Sequence, residues 1–278
     1  MNPASPRTDL AAEWAGPLPS SQAESVSGLS YTQRQRHGVP VGMVEIGSSE
    51  AAKRLGRPKG RYITLEPAAF SSPVRDLEAE AMALAEELRA LLPKEGPVLV
   101  VGLGNRDITP DALGPAVTEG VFVTRHLQGL SELQLGRLRN VSAIAPGVLG
   151  QTGIESAELA AAAAAAVKPS AMVVVDALAA AEPARLGKTV QLSDTGIIPG
   201  SGVANHRTGL CQETLGMPVI AAGIPTVTEL ALESGTALVT PREIDSIIRA
   251  AAQLLALGIN LALQQDISPE EMRSLMSD

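Results

Sequence analysis

Two aspartates stand where an α/β protein does its chemistry. Asp111 follows the apolar run Pro97-Val98-Leu99-Val100-Val101, across the segment Gly102-Leu103-Gly104-Asn105-Arg106-Asp107-Ile108-Thr109-Pro110. Asp176 closes a second run, Met172-Val173-Val174-Val175. Such runs read as strands buried on both faces, and in open α/β sheets ligands meet the protein at the C-terminal ends of the strands. If the two strands are neighbours, their carboxylates converge on one crevice. Two close carboxylates cannot both ionise easily, so one keeps a proton. The pair then offers a general base and a general acid around one water, which is the chemistry of amide hydrolysis. Taken singly, each has a plainer reading. Asp111 is also a first-turn acid at a helix N-terminus, worth about 0.3–1 kcal/mol, and Asp176 a turn former at a strand end.

Other chemistries fit the sequence less well. Gly102-Leu103-Gly104 after a strand suggests a dinucleotide turn, but the third glycine of that pattern falls at Asp107, whose carboxylate would repel a pyrophosphate. The Walker lysine pattern is absent. Cys211 is the single cysteine, with no histidine near it in sequence and no CxxC metal pattern. His37, His126 and His206 are far apart. No GxSxG elbow surrounds any serine. Asp107 reads as a loop Asx turn and Asp194 as the cap of the turn through Thr195 and Gly196.

The elements that must position the two acids alternate. A third apolar run, Val219 to Ala222, ends at Gly223. Helical patterns are expected at Ala112 to Leu130, at Glu155 to Val167 and after Pro225. Strand alternating with helix predicts a three-layer α/β/α sandwich with a mostly parallel sheet. Further strands are expected at Val41 to Ile46, Arg61 to Leu65 and Thr189 to Leu192, and a long helix at Pro73 to Leu92. Pro241 to Gln265 reads as an amphipathic helix with Thr240 as N-cap, Pro241 in the first position and Glu243 as the matching acid. Residues 1–40, rich in Pro, Ser and Gln, read as a mobile arm. Residues 41–278 read as one domain.

Composition narrows the partners. The chain has 278 residues, with Lys+Arg 22 against Asp+Glu 30 for a net charge of −8. That argues against a nonspecific nucleic-acid or anionic-membrane binder. Only Trp14, Tyr31, Tyr62, Phe70 and Phe122 are aromatic, too few and too scattered for a base-stacking platform. One cysteine points to a reducing, cytoplasm-like compartment. The N-terminus has no signal pattern. The apolar stretch Leu159 to Val167 is far short of the roughly 20 residues of a bilayer span.

The order of the polar blocks adds a resemblance. Gly102-Leu-Gly-Asn105, Thr109-Pro-Asp-Ala-Leu-Gly-Pro115, Ala145-Pro-Gly-Val148, Thr152-Gly-Ile-Glu155, Val175-Asp-Ala-Leu-Ala-Ala180, Ser193-Asp-Thr-Gly-Ile197, Pro199-Gly-Ser-Gly-Val203 and Gly223-Ile-Pro-Thr-Val227 resemble the bacterial spore germination protease family. The match runs from about Val44 to the helix that opens at Val239-Thr-Pro-Arg-Glu-Ile-Asp245. The resemblance implies an aspartic-type endopeptidase of small acid-soluble spore proteins, acting in the spore core, with a hydrogenase-maturation-peptidase-like fold. It implies Asp111 and Asp176 as the catalytic pair and no cofactor or metal, and Asn105 and Thr109 are expected to orient the substrate. It further implies a homotetramer, made as a zymogen that removes its own N-terminal segment. The family cuts after an acidic residue and before an apolar residue and Ala. Arg7-Thr8-Asp9-Leu10-Ala11 fits, so cleavage is expected between Asp9 and Leu10, with residues 1–9 as pro-segment. Two alternatives stay open. One is a metal-dependent maturation-type peptidase using Asp111, Asp176 and a histidine; the other is a nonenzymatic nucleotide- or peptide-binding protein on the same scaffold. The chain departs from the family pattern in lacking a segment between Val227 and Val239 and in carrying Asp107 near Asp111.

Overall fold

The strands of the computed structural model, which describes residues 8–15, 28–127, 138–198, 209–232 and 235–277, join in one sheet. They are β1 (Leu29–Arg36), β2 (Val39–Ile46), β3 (Gly60–Leu65), β4 (Val98–Gly102), β5 (Val141–Ile144), β6 (Ala171–Ala180), β7 (Val190–Ser193), β8 (Val219–Leu232) and β9 (Gly235–Val239). Their order is β1-β2-β3-β7-β8-β6-β4-β5, with β9 attached to β8. The sheet is mixed. Pairings β5·β4, β4·β6 and β6·β8 are parallel, whereas β8·β7, β7·β3, β3·β2, β2·β1 and β8·β9 are antiparallel. The expected parallel character holds in the half that carries both aspartates, where helices connect the strands. The other half is joined largely by shorter connections, which allow antiparallel neighbours.

Helices cover both faces. Besides two single turns at Leu149–Thr152 and Gln212–Leu215, the described helices are α1 (Ala11–Trp14), α2 (Ser49–Leu55), α3 (Leu77–Leu91), α4 (Leu113–Glu119), α5 (Ser156–Val167), α6 (Ile244–Leu263) and α7 (Pro269–Ser277). On one face Val98, Val100, Val173, Val175, Ile220 and Ala222 pack with α3, α4, α6 and α7. On the other, Leu99, Val101, Met172, Val174 and Val219 meet Ala157, Ala160 and Ala164 of α5. Strand residues thus alternate between two cores, as their period of two requires. Each fully buried Leu or Ile adds roughly 1.5–3 kcal/mol. Helix α6 is long and apolar enough to cross a bilayer, more so than the Leu159–Val167 stretch; 78% of that window is buried inside the protein, against α3 and α4.

Several expectations change in the folded chain. Residues 1–40 are partly built into the body, which therefore begins before Val41. β1 is an edge strand along the whole of β2, and Leu10 and Ala11 are fully buried. Glu87 of α3 anchors β1, its carboxylate accepting from Arg34 Nε at 2.8 Å and Arg36 Nε at 3.1 Å. The helix expected at Ala112 to Leu130 ends at Glu119, because Asn260 of α6 takes over the next backbone groups. Its Oδ1 accepts from Phe122 N at 2.8 Å and its Nδ2 donates to Gly120 O at 2.9 Å. Positions 128–130 lie outside the described residues. The segment after Pro225 is strand rather than helix: β8 continues beside β6 to Thr228 and then pairs with β9 to Leu232. Within the Val227–Val239 stretch, the described residues are the end of β8 and all of β9, paired antiparallel. Thr240 does not cap α6. Its hydroxyl donates to Thr226 O at 2.8 Å, and Glu243 occupies the N-cap.

Candidate active site

The topology creates the crevice that the sequence only suggests. From β4 the chain passes through α4, on one face, to the edge strand β5. From β5 it returns through α5, on the opposite face, to β6 on the other side of β4. The connections diverge between β4 and β6, the kind of switch point where open α/β sheets bind ligands.

Asp176 is not at a strand end. It lies inside β6, opposite Gly223 of β8, and is 7% exposed. What ends there is its neighbour: β4 pairs with β6 only as far as Gly102 opposite Val175. Beyond Val175 the β4 side of β6 is an open edge, and Asp176 is the first residue past it. Its Oδ1 accepts from Ala177 N at 2.9 Å.

Asp111 comes to the same place by a compact turn. After β4, Leu103 N donates to Val175 O at 2.8 Å, and the chain then folds into a 3-10 turn, Thr109–Asp111. Asp111 Oδ2 accepts from Asn105 N at 2.8 Å. Gly104 makes the turn possible, with φ +113° and space for no side chain, since a Cβ there would lie 2.0 Å from Asp111 O.

Asp111 and Asp176 line one cleft of about 360 Å³, with Ile108, Pro110, Ala177, Thr226 and Thr240 among its walls. Asp9 lines it too. Asp9 N donates to Ala179 O at 3.0 Å, and Ala179 N donates to Asp9 Oδ2 at 2.9 Å. The expected cleavage junction therefore sits beside the expected acids. Leu10 is fully buried beside Leu178 and Ala180. Ala11 N donates to Gln191 Oε1 at 3.0 Å. A second cavity of about 390 Å³, with Arg57, Lys59 and Gln191 on its walls, shares Asp9, Leu178 and Ile197 with the first. The segment thus lies along a longer groove with a basic stretch at one end.

The remaining candidates separate. Asn105 acts through its backbone on Asp111, while its side chain accepts from Asp107 N at 3.0 Å and Gln151 Nε2 at 2.7 Å. Thr109 belongs to the turn but does not line the cleft. Asp107 is also outside the cleft wall, held by Gln151 Nε2 at 3.2 Å. Asp194 is committed to Arg61, accepting from its backbone N at 2.7 Å and its Nε at 2.8 Å. His206 and Pro199–Gly202 lie outside the described residues. Among the described residues, no group of three His, Cys, Asp or Glu side chains could hold a metal ion.

Three contributors were not legible in the sequence. Gln191 is buried and satisfied on both ends, its Nε2 donating to Ile63 O and Leu192 O at 3.0 Å each. Thr226 Oγ1 is buried on the cleft wall with no hydrogen-bond partner among the described residues. Glu13 is 3% exposed in its side chain and reaches the end of β6. Only the Gly223-Ile-Pro-Thr-Val227 block hinted at one of them.

Comparison with known proteins identifies the family. A family model described as germination protease, Peptidase_A25, matches residues 8–237. The chain belongs to the germination protease family. Similar proteins named germination protease include one from Caldanaerobacter subterraneus subsp. tengcongensis, 38% identical over 319 aligned positions, covering 97% of this chain and 98% of that protein. The Clostridium perfringens strain ATCC 13124 germination protease is 34% identical, covering 98% and 99%. That of Bacillus subtilis strain 168 is 42% identical, over 80% of this chain and 63% of that protein. Among solved structures, the [NiFe] hydrogenase maturation protease HycI from Thermococcus kodakarensis KOD1 is 23% identical, with a TM-score of 0.41, covering 64% of this chain and 98% of that one.

Proposed function

We propose that this member of the germination protease family is an aspartic-type endopeptidase that cuts small acid-soluble spore proteins during germination and first cuts itself between Asp9 and Leu10. The observation that carries the reading is that Asp111, Asp176 and Asp9 line one cleft. One carboxylate acts as base on a water that attacks the peptide carbonyl, and the other, protonated, donates to the leaving nitrogen. The water's hydroxyl ends on the new carboxyl group, its proton on the base, and the acid's proton on the new amine, so the pair ends with one proton, as it began. Asn105 N–H holds Asp111 in place. Family membership supports the substrate class, the site of action in the spore core and assembly as a homotetramer.

The test is the mass of the N-terminus after incubation at mildly acidic pH. The wild-type chain loses residues 1–9. Asp111→Asn and Asp176→Asn keep them, the cut slowing about 10²–10⁴-fold, the usual worth of one general acid or base. Both variants melt near the wild type, because an amide oxygen still accepts from Asn105 N and Ala177 N. Cleavage at the wild-type rate by either variant would overturn the assignment.

A further inference from the structure

β8 does not run evenly past the two acids. It pairs in step with β6 from Val219 opposite Met172 to Pro225 opposite Leu178, then resumes with Val227 opposite Ala179. Thr226 is the extra residue, so the strand carries a β-bulge there. A bulge leaves one residue outside the ladder and re-aims its side chain, and bulges gather beside active sites. Pro225 suits the place, since it has no N–H to give to a ladder. The carbonyls of both residues are taken: Gly187 N donates to Pro225 O at 3.0 Å and Thr240 Oγ1 to Thr226 O at 2.8 Å.

The Thr226 hydroxyl is not. The residue is 1% exposed, and its Oγ1 has no hydrogen-bond partner among the described residues. Two other buried threonines nearby are satisfied, Thr228 donating to Ala181 O at 3.4 Å and Thr64 to Gln191 Oε1 at 3.1 Å. An unpaired buried hydroxyl destabilises a fold, so a group that supplies its partner binds more tightly for doing so.

The cleft has few donors to offer. The polar side chains on its walls are Asp9, Asp111, Asp176, Thr226 and Thr240. Ionised carboxylates only accept. Thr240 donates to Thr226 O, and Ala177 N and Ala179 N are held by Asp176 and Asp9. The one proton of the acid pair goes to the leaving nitrogen. Water attacking a peptide carbonyl gathers negative charge on its oxygen, and a donor placed at that oxygen lowers the barrier. Among these side chains the Thr226 O–H is the donor left for it.

We propose that Thr226 is a substrate-binding group of the cleft, its hydroxyl donating to the carbonyl oxygen of the peptide bond under attack. The inference rests on the peptidase reading in taking a peptide as the occupant. Rotation about Cα–Cβ exchanges hydroxyl and methyl between staggered positions, so the donor swings to an arriving oxygen while the backbone stays. No bond is made or broken at Thr226, and its hydroxyl keeps its proton throughout.

Two measurements on the full chain test this. The first is the rate of cutting at Asp9–Leu10. Thr226→Val slows it about tenfold, the net worth of one hydrogen bond, and Thr226→Ser, which keeps the hydroxyl, stays close to the wild type. A Thr226→Val chain that cuts at the wild-type rate, or a Thr226→Ser chain as slow as Thr226→Val, overturns the proposal. The second is calorimetric binding of the peptide Thr-Asp-Leu-Ala-Ala-Glu-Trp with its Asp–Leu bond replaced by an uncleavable isostere. Thr226→Val weakens binding of the hydroxyethylene form, which keeps an oxygen on that carbon, by about tenfold. It leaves the methyleneamine form, which has no such oxygen, unchanged. Equal effects on both forms overturn the proposal, as does a wild type that binds neither. If Asp111→Asn and Asp176→Asn cut at the wild-type rate while the isostere result holds, the contact stands and the aspartate assignment falls.

Discussion

Gly104→Ala displaces a candidate catalytic acid without altering it. The new Cβ would lie 2.0 Å from Asp111 O and 3.1 Å from Asp111 Oδ1, whereas real Cβ contacts essentially never fall below 3.0 Å. The Thr109–Asp111 turn must therefore move by at least about 1 Å, since the neighbour is backbone and cannot rotate away. A misplacement of that size costs on the order of 10²-fold in rate. The backbone at φ +113° adds strain of about 1–3 kcal/mol for a residue with a side chain, which lowers the melting temperature by about 2–12 °C in a domain of this size. The protein remains folded at 25 °C. The assay is the rate of cutting at Asp9–Leu10, followed by mass spectrometry, beside a thermal melt. Gly150→Ala is the control, because a Cβ there meets nothing within 4 Å, and it cuts at the wild-type rate. A folded Gly104→Ala chain that cuts as fast as the wild type refutes the claim that Asp111 must be placed by this turn.

Other outcomes follow from single groups. Thr226→Val removes a buried hydroxyl that has no partner and keeps its shape, so melting should rise by the equivalent of roughly 1 kcal/mol. Cutting should fall about tenfold if the hydroxyl serves substrate in the cleft, and a variant that is both less stable and fully active contradicts the assignment. At Glu87, burial pushes the carboxyl up, but hydrogen bonds and charge from Arg34 and Arg36 outweigh it and hold it below the usual value. Its folded pKa is depressed, so its stabilisation is present above the unfolded value of about 4.3 and is lost as pH falls through the lower folded value. Glu87→Gln should cost about 1–2 kcal/mol at pH 7 by leaving two guanidinium groups short of a carboxylate, less than for a fully buried pair because Arg34 and Arg36 are 30% and 44% exposed. The gap between wild type and variant in urea unfolding should narrow as pH falls below the unfolded carboxyl value of about 4.3, and a gap independent of pH rejects this account.

Much of the framework is local and was legible. Val98–Gly102 and Val219–Ala222 are unbroken apolar runs of strand length, and a strand buried on both faces has no other composition. Leu77–Leu91 and Ser156–Val167 carry helical spacing and strong helix formers. Asp111 and Asp176 stood out because each follows such a run. The misses share a cause. Thr226-Val227-Thr228 was open to helix or strand until β6 and β9 lay beside it, and the chain after Gly120 was open to helix until Asn260 claimed its backbone.

Residue order alone singled out the two acids and the apolar strand runs they follow, because these depend on side-chain type and short-range period. Only the packed chain decided that β4 stops at Gly102, opposite Val175, while β6 runs on, that the open edge is covered by Asp9 and Glu13, and that Gln191, Thr226 and Arg185 stand beside them. The contacts between the N-terminal segment and β6 join residues 168 or more positions apart in the chain. Periodicity within a window of ten or twenty residues holds no record of them, since the partner that satisfies a backbone edge is chosen by where the strands end in space.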